Sequence, residues 1–600
     1  MKTSLENVRS VPGWWAAVTL FLVLCALVAT RVWLVDQKIG SYIACTGCFT
    51  WHVILEDLLV FCALSSLLLL ASATPTRLLA RIPLLCCAIL ILFYAADLVV
   101  FSLFNTRLLM TDVALFLFEV SAVWDQFSTG IGSPLTTTTI VTGIMLLLAL
   151  VLWMPAVRSR GFRLTMSLVM GFSLVGNALF EPEPYVNDWA VENVFIANKS
   201  TTSKLRYSSA VQEEVLSTSM PVKAWSSGPS VAAGRNVLMV IIESWSPWHS
   251  RLWGGHENWT PELDSAATGG LRFDNFHSIG FSTNQGLVGI LAGQQTWAPF
   301  LHWLETPPFH SMWGVEDGLP QAFNHHGYHT AFLTSGPLSL NRKGEWLTDL
   351  GFDLVEGNEH PFYDSLPKYS FGSASDEALY QRALNWIDQA SDEQLNPWLL
   401  VVETVSSHQP YRDPDSGERS LELAMKYADR EFGEFLDELD NNRFFDTGIL
   451  MVVSDHRSMT PMTRAESDLW GDAAHSRVPA FIISSDSLPG SVDEATYSQS
   501  DLTPSFEWWL EGEVTLAPFE AVMFDPEFET RKCAFFLRMD RRAMIEANCD
   551  QGNGQIILNG DDTRFIGSNN LSPELEYQAL EIIARLRLEA WQRHQANSSP

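Results

Sequence analysis

The sequence predicts a multi-pass α-helical membrane domain followed by an α/β domain with a mostly parallel central sheet. Three observations carry this. Five apolar segments, each near the roughly twenty residues needed to cross a bilayer, crowd the first 180 of 600 residues. Beyond them, short apolar runs rich in β-branched residues alternate with stretches of helical period, as parallel strands under helices do. The charge changes character at the same boundary: residues 1–180 hold 10 Lys+Arg and 8 Asp+Glu, the remainder 28 and 61.

The predicted spans are about Gly13–Val35, Trp51–Ala71, Ile82–Phe104, Thr139–Val157 and Leu164–Phe180. The first is too long and too rich in tryptophan for a cleaved signal peptide, so it reads as an uncleaved span. Lys2 and Arg9 precede span one, Arg77 and Arg81 separate spans two and three, and Arg158, Arg160 and Arg163 separate spans four and five. The opposite loops carry Arg31, Lys38 and Arg107 near their ends. The excess of positive charge on one side places the N-terminus in the cytoplasm, and five spans then place everything after Phe180 outside it. The expectation is a multi-pass protein of the inner (cytoplasmic) membrane with its second domain extracytoplasmic. Asp97 lies inside span three, with Glu56 and Asp57 near one end of span two. Intramembrane acids mark either function or polar contact between helices, and the second reading is preferred here. Leu108–Val123 has the amphipathic character of a helix lying along the outer leaflet.

Residues 181–234, rich in Ser, Thr and charge after Glu181-Pro182-Glu183-Pro184, read as a linker with short helical pieces. Residues 235–524 form the α/β domain and 525–600 a small antiparallel region closed by a helix, Pro573–His594. Its acidity excludes a nucleic-acid binder, because such a surface does not neutralise phosphates. An anionic phosphate would instead need a local, metal-assisted pocket. Cys45 and Cys48 suit a local disulfide or two free thiols, and Cys533 and Cys549 are expected to pair.

The candidate chemistry sits where apolar runs stop. Val237–Ile242 ends on Glu243, and Ile449–Val453 leads through Ser454 to Asp455-His456. In open α/β sheets ligands bind at the carboxyl ends of strands. Thr283 precedes the apolar stretch Leu287–Leu291, whose free N–H groups, if it is helical, favour a phosphate beside that hydroxyl. Two carboxylates, an imidazole and a hydroxyl make a divalent-metal set with mixed oxygen and nitrogen ligands. A metal there would activate the threonine and stabilise charge on a phosphoryl group. Between these points, Tyr328–Thr334 and Trp398–Val402 read as strands. Asp376–Ala390 and Ser420–Leu439 read as helices covering the sheet.

The order of these motifs resembles the extracytoplasmic domain of lipoteichoic acid synthases and related phosphoglycerol transferases, in the sulfatase-like branch of the alkaline phosphatase superfamily. The matching residues are Glu243-Ser244, Thr260-Pro261-Glu262-Leu263-Asp264, Thr283 with Gly286 three residues on, Ser406-Ser407-His408-Gln409-Pro410-Tyr411 and Asp455-His456. The resemblance covers roughly residues 235 to 510 and implies a sulfatase-like fold. It implies Thr283 as nucleophile and Glu243, Thr283, Asp455 and His456 as ligands of one divalent metal (manganese first, magnesium or zinc as alternatives). Asn341-Arg342 match a pair that contacts phosphate, although Leu340 stands where the family often has Trp. His408 is implied in substrate binding. His475, before Arg477-Val478-Pro479, matches a histidine of related phosphoethanolamine transferases, at a different spacing.

The leading expectation is therefore a membrane phosphotransferase. It would move a phospholipid head group, phosphoglycerol first, through a phospho-threonine intermediate to a hydroxyl of a glycan or glycolipid. A phosphoethanolamine transferase of the same fold is the near alternative, and a non-catalytic membrane sensor, suggested by Arg457-Ser458 after Asp455-His456, the remote one. A true sulfatase is disfavoured, because no Cys/Ser-x-Pro/Ala-x-Arg segment stands near the metal motifs.

Overall fold

Val237–Ile242, Trp398–Glu403 and Ile449–Ser454 are buried at every position in a computed structural model of the chain, as strands covered on both faces must be. Described are residues 11–39, 48–104, 107–110, 113, 143–144, 147, 157–179, 191–200, 208–217, 222–226, 234–296, 318–395, 397–485, 489–528, 533–538, 544–558 and 563–598. The chain divides into two compact units. One is Met1–Val113, Phe127–Ser200 and Thr460–Ala465, and the other the remainder.

In the first unit, helices span Val11–Ile39, Cys48–Ala73, Arg77–Phe104 and Arg160–Ala178. The first three are long and apolar enough to cross a membrane. Leu22, Leu78, Ile82 and Ile89 point outward from them, as side chains facing lipid do. The helix over Arg160–Ala178 coincides with the fifth predicted span but is not among those three. The fourth predicted span falls largely outside the described residues, as do Cys45 and most of the amphipathic stretch Leu108–Val123. The intramembrane acids are paired. Asp97 accepts from Arg107 Nε at 3.0 Å and from the Leu108 N–H at 2.9 Å. Asp57 meets Arg31 at 2.6 Å and accepts from Tyr94 Oη.

The second unit is built on an eight-stranded sheet. Its strands are β2 (Val237–Ile242), β3 (Leu271–His277), β4 (His329–Thr334), β5 (Leu354–Glu356), β6 (Trp398–Glu403), β7 (Ile449–Ser454), β8 (Ala480–Ser484) and β9 (Ser491–Ser498), preceded in the chain by β1 (Lys223–Ser226). Their spatial order is β5-β4-β6-β2-β7-β8-β3-β9. All neighbours are parallel except β8, which runs antiparallel to β7 and β3. Alternate residues feed two helical layers. Met239, Ile241, Val401 and Val453 pack under the helices Thr283–Ala292, Lys343–Asp349 and Leu502–Glu511. Leu238, Val240, Leu400 and Val452 pack under Asp376–Asp392 and Leu421–Asn441. The segment expected as a linker is divided: the helix Val194–Ser200 belongs to the first unit, while the helix Ser209–Ser217 and β1, which pairs antiparallel with β10 (Glu513–Leu516), belong to the second. A second, antiparallel sheet follows, β11 (Cys533–Leu537), β12 (Met544–Cys549), β13 (Gly552–Ile557) and β14 (Arg564–Asn569), with the helix Pro573–Ser598. Cys533 and Cys549 face each other across β11 and β12 and are bonded.

Candidate active site

Strand register brings the site together. β2 and β7 are parallel neighbours with Ile242 opposite Ser454, so the next residues, Glu243 and Asp455, leave the sheet side by side. The ligand atoms of Glu243, Asp455 and His456 all lie within 4.8 Å of one another, and all three side chains are buried. The turn after β2 is held by Ser244, which takes φ 58°. Its N–H donates to Asp455 Oδ1 at 2.8 Å and its hydroxyl to Glu243 Oε1 at 2.7 Å. The Glu243 N–H donates to Thr404 Oγ1, and the Ser407 hydroxyl to the Glu243 carbonyl. The loop that follows Trp398–Glu403 is thereby tied to the Glu243 backbone at two points.

Thr283 enters from the helical layer. The helix expected to begin near Leu287 begins at Thr283, with Ser282 as its extended N-cap residue. The first-turn N–H groups therefore lie at Thr283 itself, where they favour an anion. The Thr283 hydroxyl donates to Glu243 Oε2 at 3.1 Å and lies 3.4 Å from His456 Nε2. Gly286 explains itself sterically: a Cβ there would stand 2.3 Å from the Asp455 carbonyl oxygen. Only glycine lets this helix approach β7 so closely.

The donor set fits a divalent cation. His456 Nδ1 is 2.7 Å from the Arg457 carbonyl, so Nδ1 donates there and Nε2 faces the carboxylates, its lone pair free for a cation once its own proton is lost. Nε2 lies 3.4 Å from Glu243 Oε1 and 3.3 Å from Asp455 Oδ2. Asp455 Oδ2 is buried and makes no hydrogen bond among the described residues, an orphaned oxygen that a metal would satisfy. Burial, then the charge of Glu243, pushes Asp455 well above the usual carboxylate range. Burial would also lift Glu243, but the charge of His408 and the hydrogen bonds and charge of His456 outweigh it and hold Glu243 low. His456 is raised to about 9: burial opposes its charge, yet Asp455 and Glu243 prevail. A cation would take the place of these protons.

The other expected residues are placed differently. His408 hydrogen-bonds the Gln409 carbonyl through Nδ1 at 2.6 Å and meets the Phe371 ring edge-on. It acts on Glu243 through charge but is not one of the three clustered ligands. Arg342 is largely exposed and paired with Glu345, three residues along the chain, rather than turned onto the cluster. His475 lies 4.0 Å from Glu546 on β12. Arg457 meets Glu466 at 2.7 Å.

Three supporting residues escaped the sequence reading. Gln499 donates to the carbonyls of Ser454 and Asp455. Asp376 accepts from the Val405 and Ser406 N–H groups, in the loop that carries His408. Glu403, at the end of β6, meets Lys343 at 2.5 Å. A carboxylate closing an apolar strand, as at Glu243, was the one signal that could have found Glu403.

Residues 235–512 match the family model described as Sulfatase. A phosphoglycerol transferase I of Xanthomonas euvesicatoria pv. vesicatoria is 28% identical over 147 residues, covering 22% of this chain and 21% of the relative. The chain thus spans about a fifth of the length of the curated relatives it matches. An alkaline phosphatase superfamily protein from Vibrio parahaemolyticus shares the fold with TM-score 0.50 and 19% identity, over 67% of this chain and 95% of that one. The lipooligosaccharide phosphoethanolamine transferase A of Neisseria meningitidis aligns with TM-score 0.49 and 15% identity, over 83% and 95%.

Proposed function

We propose, from the match of residues 235–512 to the family model described as Sulfatase together with the site geometry, that the chain is a metal-dependent membrane phosphotransferase acting on a phospholipid head group, phosphoglycerol first. The observation that carries the reading is the Thr283 hydroxyl, at a helix N-terminus and within hydrogen-bond reach of both Glu243 and His456. Glu243, Asp455 and His456 would hold one divalent ion, manganese before magnesium or zinc. When bound, the ion supplies positive charge at the phosphoryl oxygens and eases loss of the threonine proton.

Thr283 Oγ1 attacks the phosphodiester while its proton passes along the hydrogen bond to Glu243 Oε2. The bond from phosphorus to the diacylglycerol oxygen breaks, and that oxygen takes a proton from solvent. The N–H groups at the start of the Thr283–Ala292 helix face the charge that builds on phosphorus. A hydroxyl of a glycan or glycolipid then attacks the phospho-threonine and gives its proton to solvent, the bond from phosphorus to Thr283 Oγ1 breaks, and Thr283 takes back the proton from Glu243. His408 is assigned to the substrate's phosphoryl oxygens, and Arg342 joins it after leaving Glu345. His475 is assigned a looser substrate contact. The three clustered ligands beside the Thr283 hydroxyl support a catalytic site over a degenerate, non-catalytic one. The domain is assigned to the outer face of the inner membrane.

The test gives the full chain, with manganese, vesicles of head-group-labelled phosphatidylglycerol or phosphatidylethanolamine. Label should leave phosphatidylglycerol and be trapped on Thr283 by mass spectrometry. Thr283→Ala should lose turnover by about 10³-fold or more. Ser282→Ala, which removes only a hydroxyl near Gln285, should retain most of it. Label leaving phosphatidylethanolamine alone selects the ethanolamine branch. An adduct on Ser282, or full activity in Thr283→Ala, refutes the mechanism.

A further inference from the structure

We propose that the ion pair of half-buried Lys343 with buried Glu403 is the subsite for the hydroxyls of the donor's head group, and that it selects a neutral polyol over an ammonium. The proposal rests on the transferase reading above and names its substrate class. Glu403 ends β6 opposite Ile241 of β2, two residues before Glu243. Glu403 and Ile241 share the sheet face that packs under the helices Thr283–Ala292 and Lys343–Asp349. A strand spacing of about 4.8 Å and a two-residue rise of about 6.6 Å put the Glu403 and Glu243 backbones roughly 8 Å apart. That is the reach of a small head group whose phosphorus sits at Thr283.

Two further observations point to a ligand. Glu403 is 2% exposed, and its Oε1 has no hydrogen-bond partner among the described residues, while Oε2 is taken by Lys343. An acceptor left open in a buried carboxylate is costly unless something donates to it. The backbone that delivers Lys343 is also strained: Asn341 and Arg342 stand at φ 55° and 60°, neither being glycine. Two consecutive left-handed residues of this kind persist only where the surroundings enforce them, commonly at ligand sites. Their effect is to turn Arg342 outward to Glu345 and Lys343 inward to Glu403.

The chemistry of the pair sets the specificity. Glu403 is already neutralised, so its open oxygen suits a hydroxyl donor, and the remaining N–H groups of Lys343 suit a hydroxyl oxygen. An ethanolamine head would bring a second cation beside Lys343 to share one carboxylate.

The full chain in detergent with manganese would be titrated by calorimetry with glycerol phosphate, phosphoethanolamine, inorganic phosphate and a glucose disaccharide. Wild type should prefer glycerol phosphate over phosphoethanolamine by about tenfold or more. Lys343→Met should abolish that preference while inorganic phosphate binds as before. Because the single variant strands a buried carboxylate, the uncharged pair Lys343→Met/Glu403→Gln is measured beside it, with the same expectation. A preference that survives in both variants overturns the proposal. So does an equal loss for inorganic phosphate, or a loss confined to the disaccharide, which would make the pair an acceptor site. If wild type moves no lipid head group yet shows the preference and the variants erase it, the transfer reading falls and the subsite stands.

Discussion

Gly286 is the residue whose identity the site constrains most tightly. An added Cβ would press on the Asp455 carbonyl oxygen at 2.3 Å, its carbon at 2.9 Å and its Cα at 3.0 Å, all backbone atoms that do not rotate away. The helix bearing Thr283 and the loop bearing Asp455 would have to separate. Gly286→Ala should therefore cost about 1–3 kcal/mol of stability by overpacking. It should lower turnover far more than that loss of folded protein explains, since it moves the hydroxyl away from Glu243 and His456. Thermal unfolding and kcat measured on the same preparation check this, and wild-type kcat in a destabilised variant would refute it. Ser282, by contrast, offers its hydroxyl to Gln285 at 3.3 Å and, among the described residues, to neither Glu243 nor His456.

The loop from Thr404 to Tyr411 is an element held from behind by the first residue of the helix Asp376–Asp392. Asp376 Oδ1 takes the N–H groups of Val405 and Ser406 at 2.9 and 3.0 Å, and the Ser406 hydroxyl takes the Asp376 N–H. Burial raises the Asp376 carboxyl to about 6, partly offset by those N–H donors. Between the ordinary carboxylate value and about 6, the folded state therefore keeps a proton that the unfolded state has lost. The stabilisation is full below that window and is lost as pH rises through it, with a slope of at most about 1.4 kcal/mol per pH unit. Asp376→Asn keeps an acceptor for both N–H groups and should flatten the pH 4–6 slope of the melting temperature. Asp376→Ala should unfold earlier at every pH and raise KM through the loosened His408 loop. An unchanged slope in Asp376→Asn would assign the dependence to other groups.

At the scale of the whole molecule, the membrane unit is organised by buried ion pairs. Arg31 is fully buried and meets Asp57, while Tyr94 Oη and Asn193 Nδ2 also donate to Asp57. Arg31 also donates to the carbonyls of Val191 and Glu192, and Arg107 to that of Glu192, so the chain beyond the spans is strapped to them. Arg31→Met strands Asp57 and should cost about 3–5 kcal/mol, much of it recovered in Arg31→Met/Asp57→Asn. Unfolding in detergent reads the coupling, and equal losses in both variants would mean that the stranded Asp57 charge costs nothing and that the loss comes from the carbonyl contacts of Arg31 instead. The orientation of the chain is tested separately. A cysteine placed in residues 185–230 should react with an impermeant thiol reagent in intact cells, and labelling only after lysis would reverse the assignment.

What the sequence determined by itself is local and periodic. Continuous apolar runs mark strands buried on both faces, their abrupt ends mark Glu243 and Asp455-His456, and helical spacing marks the covering helices, because each follows from the backbone's own repeat. Three apolar helices and a mostly parallel sheet were legible in that way. Only the tertiary structure decided which ends meet. Ser244 reaches Asp455 across 211 residues because β7 lies beside β2, an adjacency that sheet order creates and no local pattern carries. The same holds for the partners of the charged residues. Arg107, a loop charge in the sequence, lies on Asp97 in the fold, and beside two left-handed residues Arg342 meets Glu345 while Lys343 turns to Glu403. Charge and residue type are written in the chain, but the direction a side chain takes is set by backbone geometry and by neighbours far away in sequence.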